Sequence, residues 1–276
     1  MVTFEEFERM ASGANLIPVC QRVIADLETP VSVLARLADD ENVFLLESVE
    51  AGEKFGRYSF IGLNPRGVFT VEQGRAFYQD REGRRELPAP EGAFMALREL
   101  LKDVRPAAAP ELPPLFGGAV GYLGYETVRE FEKLPEPKSG LTGAESAFLI
   151  TDEMIIFDNI RHTMMLSVCV RPEEYRTLRA AYDDAVRRIG ELKLRLRQTP
   201  RIPAPVPQAE PRLKSNMSRD DYMDMVEKAK KHIYEGDIIQ VVPSLKFTAE
   251  IDLPPLQLYR ALRLINPSPY TFYLKI

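Results

Sequence analysis

Phe148-Leu149-Ile150-Thr151-Asp152-Glu153-Met154-Ile155-Ile156-Phe157-Asp158-Asn159, followed after four residues by Met164-Met165-Leu166-Ser167-Val168-Cys169-Val170, reads as strands about a turn at Asp158-Asn159. Apolar and β-branched residues dominate both runs, and Asp-Asn is a turn pair, so the connection is a hairpin and the strands are antiparallel. The same signature recurs upstream. Leu16–Ile24, Val43–Leu46, Tyr58–Leu63 and Gly67–Glu72 are short strand-like runs, and Gly74 and Asp80–Gly83 punctuate hairpin-like segments. Helical spacing interrupts them at Thr3–Ala11, where Thr3 and Glu6 form a capping box, and at Val31–Ala38. It returns at Glu91–Val104 and at Glu173–Arg197, the latter opened by Pro172. Mixed order with several hairpins argues an α+β fold of mixed or antiparallel sheets flanked by helices.

Beyond Arg197 the texture changes. Pro200, Pro203, Pro205, Pro207 and Pro211 crowd a stretch with few structure formers, which predicts a stiff linker over 199–212. It divides an N-terminal domain, 1–198, from the start of a second, 213–276. Ser218-Arg219-Asp220-Asp221 caps a helix running to about Glu235, and Gly236 stops it. Asp237–Phe247 is expected as a strand, Leu256–Ile265 as a helix and Tyr270–Ile276 as a strand. The second domain therefore ends in a strand, and its C-terminal part is expected to be incomplete.

Composition narrows the function classes. Among 276 residues, 36 basic and 41 acidic side chains leave a net charge of −5. Without a basic block, the chain lacks the electrostatic footprint of a nucleic-acid or anionic-membrane binder. No apolar run approaches the ~20 residues of a membrane helix. The acidic start, with Glu5, Glu6 and Glu8, is unlike a targeting peptide, so a cytoplasmic location is expected. Cys20 and Cys169 are too few for a disulfide framework or a four-cysteine zinc site.

Motifs with an obvious chemistry are few. Phe116–Tyr125 is rich in glycine but has no Gly-Lys-Ser/Thr ending and no dinucleotide spacing. It reads as a strand packed tightly against another backbone. His162 and His232 have no neighbouring Cys or His ligand, and Asp183-Asp184 and Asp220-Asp221 read as solvated or capping residues. Two spots invite a ligand. In Leu45-Leu46-Glu47-Ser48 a carboxylate and a hydroxyl end an apolar strand and suit an ammonium group. In Asn266-Pro267-Ser268-Pro269-Tyr270 two prolines stiffen a turn beside an aromatic ring, a wall for a small molecule.

Five stretches in order carry a resemblance: Leu45–Ser48, Gly56-Arg57-Tyr58-Ser59-Phe60-Ile61-Gly62, Gly117–Tyr122, Gly236-Asp237-Ile238-Ile239-Gln240-Val241-Val242, and Asn266–Leu274. Together they resemble the chorismate-utilising enzymes, in the branch of anthranilate synthase component I. The resemblance implies that chorismate is aminated with ammonia from a glutamine amidotransferase subunit, component II. Pyruvate is then eliminated to leave anthranilate, the first step toward tryptophan. It implies Mg2+ as cofactor and feedback inhibition by tryptophan, bound through Glu47, Ser48, Pro269, Tyr270 and Thr271. Family members commonly have Met where this chain has Thr271, which leaves the strength of feedback open. Gln240 would neighbour chorismate. Isochorismate and salicylate synthases carry Lys at the matching place, where it can activate water. A neutral Gln suits ammonia as the nucleophile instead. The glutamates that hold Mg2+, and the histidine, arginine and tyrosine that act on chorismate, are expected beyond residue 276. This chain alone is then expected to be inactive. The alternatives are an aminodeoxychorismate synthase of folate synthesis, disfavoured by Gln240 and Asn-Pro-Ser-Pro-Tyr, and a non-catalytic tryptophan-binding module.

Overall fold

The structure is a computed structural model that describes residues 1–48, 56–90, 92–135, 143–200 and 212–276. Most of the expected linker, 201–211, lies outside the described residues.

In chain order, α1 (Phe4–Ala11) carries the expected Thr3–Glu6 capping box and leads into β1 (Ile17–Ile24), α2 (Pro30–Leu37), β2 (Val43–Ser48) and β3 (Tyr58–Leu63). Then come β4 (Gly67–Glu72), β5 (Arg75–Asp80), β6 (Gly83–Leu87) and α3 (Ala93–Leu101). After them run β7 (Gly118–Leu123), a 3-10 turn at Tyr125–Glu130, β8 (Ser146–Thr151), β9 (Glu153–Asp158) and β10 (Thr163–Val170). The long helix is α4 (Leu178–Leu196). The chain closes with β11 (Lys214–Ser215), α5 (Arg219–Glu235), β12 (Phe247–Thr248), α6 (Pro255–Ile265) and β13 (Tyr270–Lys275). The fold is α+β, with antiparallel sheets and flanking helices, as the hairpin signature predicts.

Two compact units emerge. One holds Met1–Ile202 together with Tyr259–Ile276; the other is Pro203–Leu258. This division differs from a boundary at the proline stretch alone. β13 is hydrogen-bonded to β2, so the chain after Leu258 groups with the first unit. Main-chain hydrogen bonding between segments distant in sequence has no local signature.

The first unit contains a six-stranded sheet in the order β1-β10-β9-β3-β2-β13 and a five-stranded sheet in the order β6-β5-β4-β8-β7. The run at 148–158 does not stay in one sheet. β8 belongs to the five-stranded sheet and β9 to the six-stranded one, and the chain crosses at Asp152. Between the sheets, Phe44, Met154, Ile156 and Met165 pack against Val120 and Leu149. The outer face of the six-stranded sheet is covered by α2 and α4, whose Leu34, Leu37, Ala185 and Ile189 are buried. α3 covers the five-stranded sheet through Ala93, Ala96 and Leu97.

Three local expectations need correction. Pro172 opens only a 3-10 turn, Pro172–Glu174, and the helix after it starts at Leu178, where Thr177 Oγ1 accepts the Ala180 N–H. Thr is a stronger helix start than Pro because it satisfies a free backbone donor. Asp237–Phe247 is not a strand; within that span only Phe247 is in one. A strand exists only where a partner ladder takes its backbone groups, and among the described residues Ile238–Val242 has none. Third, Phe116–Tyr125 is a strand, as read, only over Gly118–Leu123.

In the second unit Ser218 caps α5, accepting from Asp221 N at 3.1 Å, and Gly236 ends it at φ 82°. Both roles are the ones their residue types predict.

Candidate functional site

The two spots singled out in the sequence meet as neighbouring strands. β13 pairs with β2 so that Tyr270 faces Ser48 and Thr271 faces Glu47. Side chains alternate across a strand, so the four residues divide between two faces of the sheet. Glu47 and Thr271 point to the helix side; Ser48 and Tyr270 point to the side of the second sheet.

On the helix side Glu47 is only 3% exposed. Its Oε2 accepts a hydrogen bond from the Tyr259 hydroxyl at 2.8 Å, and its Oε1 accepts from Arg263 Nη2 at 2.8 Å. Arg263 Nε also lies 2.7 Å from Oε2, within ion-pair distance but not aligned for a second hydrogen bond. Thr271 Oγ1 is 2.9 Å from the same Tyr259 oxygen, whose single proton goes to the carboxylate, so the threonine is the donor. Burial, together with the adjoining Glu47 charge, pushes the Tyr259 phenol well above its ordinary value and keeps it protonated. The Glu47 carboxylate is thus occupied within the protein, and its side chain does not share a face with Ser48. The expectation that both hold one ammonium group is corrected by the period of the strand.

Tyr259 and Arg263 did not stand out in the sequence. Their signal is spacing: four residues apart on α6, they project from the same helix face.

The Ser48 backbone N–H donates to Ser59 Oγ at 3.3 Å, while the Ser48 side chain itself turns to the inter-sheet side. The Ser48 Oγ is itself buried and has no hydrogen-bond partner among the described residues. A buried hydroxyl left unpaired is costly, on the order of 1–3 kcal/mol, and invites an explanation. Its surroundings are aromatic. Tyr58 and Phe60 lie ring to ring at 6.1 Å on the same face, and Tyr270 and Phe272 line it from β13, both largely exposed. A hydroxyl beside an open aromatic margin can orient one polar group of a flat ligand. Pro269 stands next to Tyr270 at the start of β13 and is exposed.

Gln240 belongs to the second unit and is exposed, in a segment without regular structure. The same unit brings together His232, Glu235 and Asp237, with ligand atoms within 4.8 Å of one another. His232 Nδ1 and Asp237 Oδ2 are hydrogen-bonded at 2.8 Å. An imidazole engaged with a carboxylate is not the oxygen set that Mg2+ takes, so we assign this group no Mg2+. No helix among the described residues is long and apolar enough to cross a membrane.

The pairing of β2 with β13 and the unpaired hydroxyl between two sheets now have a family context. Residues 41–276 match the family model of the chorismate binding enzymes, and the chain belongs to that family. It is 36% identical over 282 residues to anthranilate synthase component 1 of Acetivibrio thermocellus, covering 99% of this chain and 56% of the relative. It is 38% identical over 281 residues to the protein of that name from Pseudomonas aeruginosa, covering 98% and 56%. The chain therefore spans about half the length of the curated relatives it matches. The crystal structure of anthranilate synthase component I from Streptococcus pneumoniae TIGR4 has the same fold, with a TM-score of 0.58 at 24% identity, over 90% of this chain and 53% of that one.

Proposed function

We propose that this chain forms part of an enzyme that aminates chorismate and eliminates pyruvate to give anthranilate, and that its first unit holds tryptophan as an inhibitor beside Ser48. The curated relatives named anthranilate synthase component 1 support the reaction. The word component in those names supports a partner, and we infer a glutamine amidotransferase that delivers ammonia. Gln240, being neutral, suits ammonia better than activated water as nucleophile, and Mg2+ would bind the substrate carboxylate through residues other than those described. A cytoplasmic enzyme is the corresponding expectation.

The observation that carries the inhibitor reading is the buried Ser48 hydroxyl, unpaired among the described residues, on an aromatic-lined margin. An amino acid with a flat apolar ring answers both features: its polar head reaches the hydroxyl and its ring lies among Tyr58, Tyr270 and Phe272. Glu47 and Thr271 act at one remove, by fixing β2 and β13 to each other through Tyr259 and Arg263. Calorimetry tests this. Tryptophan should give saturable heat with the purified chain, weakened about ten-fold in Ser48→Ala. Absence of heat at about 5 mM tryptophan, or equal affinity in the variant, would overturn the reading. With chorismate, ammonia and Mg2+ the chain alone should form no anthranilate; measurable product would contradict that expectation.

A further inference from the structure

Ser48 stands where a ladder ends. β2 and β3 pair residue by residue from Val43 opposite Leu63 to Leu46 opposite Phe60, and stop there. β3 itself continues along β9 as far as Tyr58, opposite Asp158. Beyond Leu46 the ladder no longer takes the β3-facing backbone groups of β2, and a buried N–H must find another acceptor. For Ser48 that acceptor is a side chain, the Ser59 hydroxyl oxygen at 3.3 Å. Ser59 is 0% exposed.

The Ser59 oxygen is not left free to turn. It also accepts from Asn159 Nδ2 at 3.3 Å, so both of its lone pairs are engaged. The same amide group donates to the Gly56 carbonyl oxygen at 3.2 Å, and the Asn159 backbone N–H donates to the Arg57 carbonyl oxygen at 2.8 Å. One turn residue thus ties down the chain entering β3 and, through Ser59, the end of β2. The turn is braced in its own right. Arg57 Nη2 lies 2.8 Å from Asp158 Oδ2, and Asp158 accepts the backbone N–H groups of Ile160 and Arg161 at 3.3 and 3.1 Å.

We propose that Asn159 and Ser59 are positioning residues for the Ser48 site. Ser59 alternates with Tyr58 and Phe60 along β3, so its side chain lies on the helix side, away from the aromatic margin. It therefore acts on a ligand only through the backbone. With its N–H held from one face, Ser48 presents its hydroxyl to the other. A hydroxyl fixed before the ligand arrives does not have to be ordered on binding, so the latch contributes affinity without a contact. The proposal rests on the reading of Ser48 as the inhibitor's contact. A latch that served stability alone would affect tryptophan no more than an equal loss of stability elsewhere in the unit.

Ser59→Ala, Asn159→Ala and a control, Tyr182→Phe, distinguish the two in the full 276-residue chain. The control gives up the bond from the Tyr182 hydroxyl on α4 to the Val2 carbonyl oxygen at 2.9 Å, and so costs stability away from Ser48. Hydrogen exchange of the Ser48 amide, measured against the other amides of β2, is read beside tryptophan affinity by calorimetry. Ser59→Ala should speed Ser48 exchange about ten-fold, and Asn159→Ala about three-fold although it does not touch Ser48. Each should weaken tryptophan about three- to five-fold. Tyr182→Phe should lower the urea midpoint and leave both readouts at the parent values. An unchanged Ser48 exchange rate in Asn159→Ala would overturn the proposal, as would an equal loss of tryptophan affinity in Tyr182→Phe. A parent chain that gives no heat with tryptophan would refute the inhibitor reading by itself. The exchange rates would then still decide whether Asn159 and Ser59 hold Ser48 in place.

Discussion

Glu47 is the residue whose reading changed most between sequence and structure. As a carboxylate at a strand end it suits a ligand's ammonium group; in the fold it is 3% exposed and held by Arg263 and Tyr259. The two partners of this ion pair are not equivalent. The Arg263 side chain is 32% exposed against 2% for Glu47, so the arginine can turn toward water and the carboxylate cannot. Arg263→Ala should therefore cost about 3–5 kcal/mol, by stranding a buried charge. Glu47→Gln, which retains a hydrogen bond to Tyr259, should cost only about 1–2 kcal/mol. Urea unfolding of both variants checks the order, and equal midpoints would refute it. Cys20 supplies a pH-dependent counterpart. Burial pushes its thiol from 9.0 to about 11, only partly offset by its contact with Ser167. A raised value means that the folded chain keeps a proton the unfolded chain gives up. The stabilisation is complete below pH 9 and fades as pH rises from 9 toward 11, by roughly 2–3 kcal/mol. The stability of Cys20→Ala should fall less steeply over that interval than that of the parent.

At the scale of elements, the glycine-rich stretch behaves as its failed phosphate-loop pattern suggests. It forms β7, which pairs with β8 in register Gly121 to Phe148. A side chain at Gly121 would overlap the Ala147 carbonyl oxygen and press on the Phe148 backbone, neither of which can yield without opening the ladder. Gly121→Ala should destabilise the protein by roughly 3 kcal/mol, whereas Gly190→Ala on α4, with open space around it, should be neutral or stabilising. Thermal melts of the pair distinguish a packing role from a ligand-cradling one. The crossing from β8 to β9 shows what periodicity misses. Asp152 and Glu153 end up buried there because Arg171 and Arg188, from β10's end and from α4, reach them at 3.1 and 2.7 Å. Even so, burial outweighs the arginines at Asp152 and raises its carboxyl above the ordinary value. In sequence these two acids look like a polar turn.

For the whole molecule, the decisive fact is that the last strand joins the first unit. β13 lies at the end of the six-stranded sheet beside β2, and α6 sits over Glu47 through Tyr259 and Arg263. A chain cut back to residues 1–200 would bare the β2 edge and leave Glu47 without its partners. An unpaired apolar edge invites association. Such a chain should elute as aggregates or unfold at lower urea than the parent; an unchanged midpoint and a monomeric elution would contradict this.

Much of the molecule was legible in the sequence. Local chemistry determined the hairpins, the caps at Thr3 and Ser218, the stop at Gly236 and the α+β class, because those depend on neighbours within a few residues. Leu45–Ser48 and Asn266–Leu274 could be marked as spots of interest for the same reason. Only the tertiary structure decided that the two pair with each other, that Glu47 and Ser48 face opposite ways, and that Ile238–Val242 has no ladder among the described residues. Those outcomes depend on which distant backbone supplies the hydrogen bonds, and on which face of a sheet is covered. Neither condition is written in the residues that obey it.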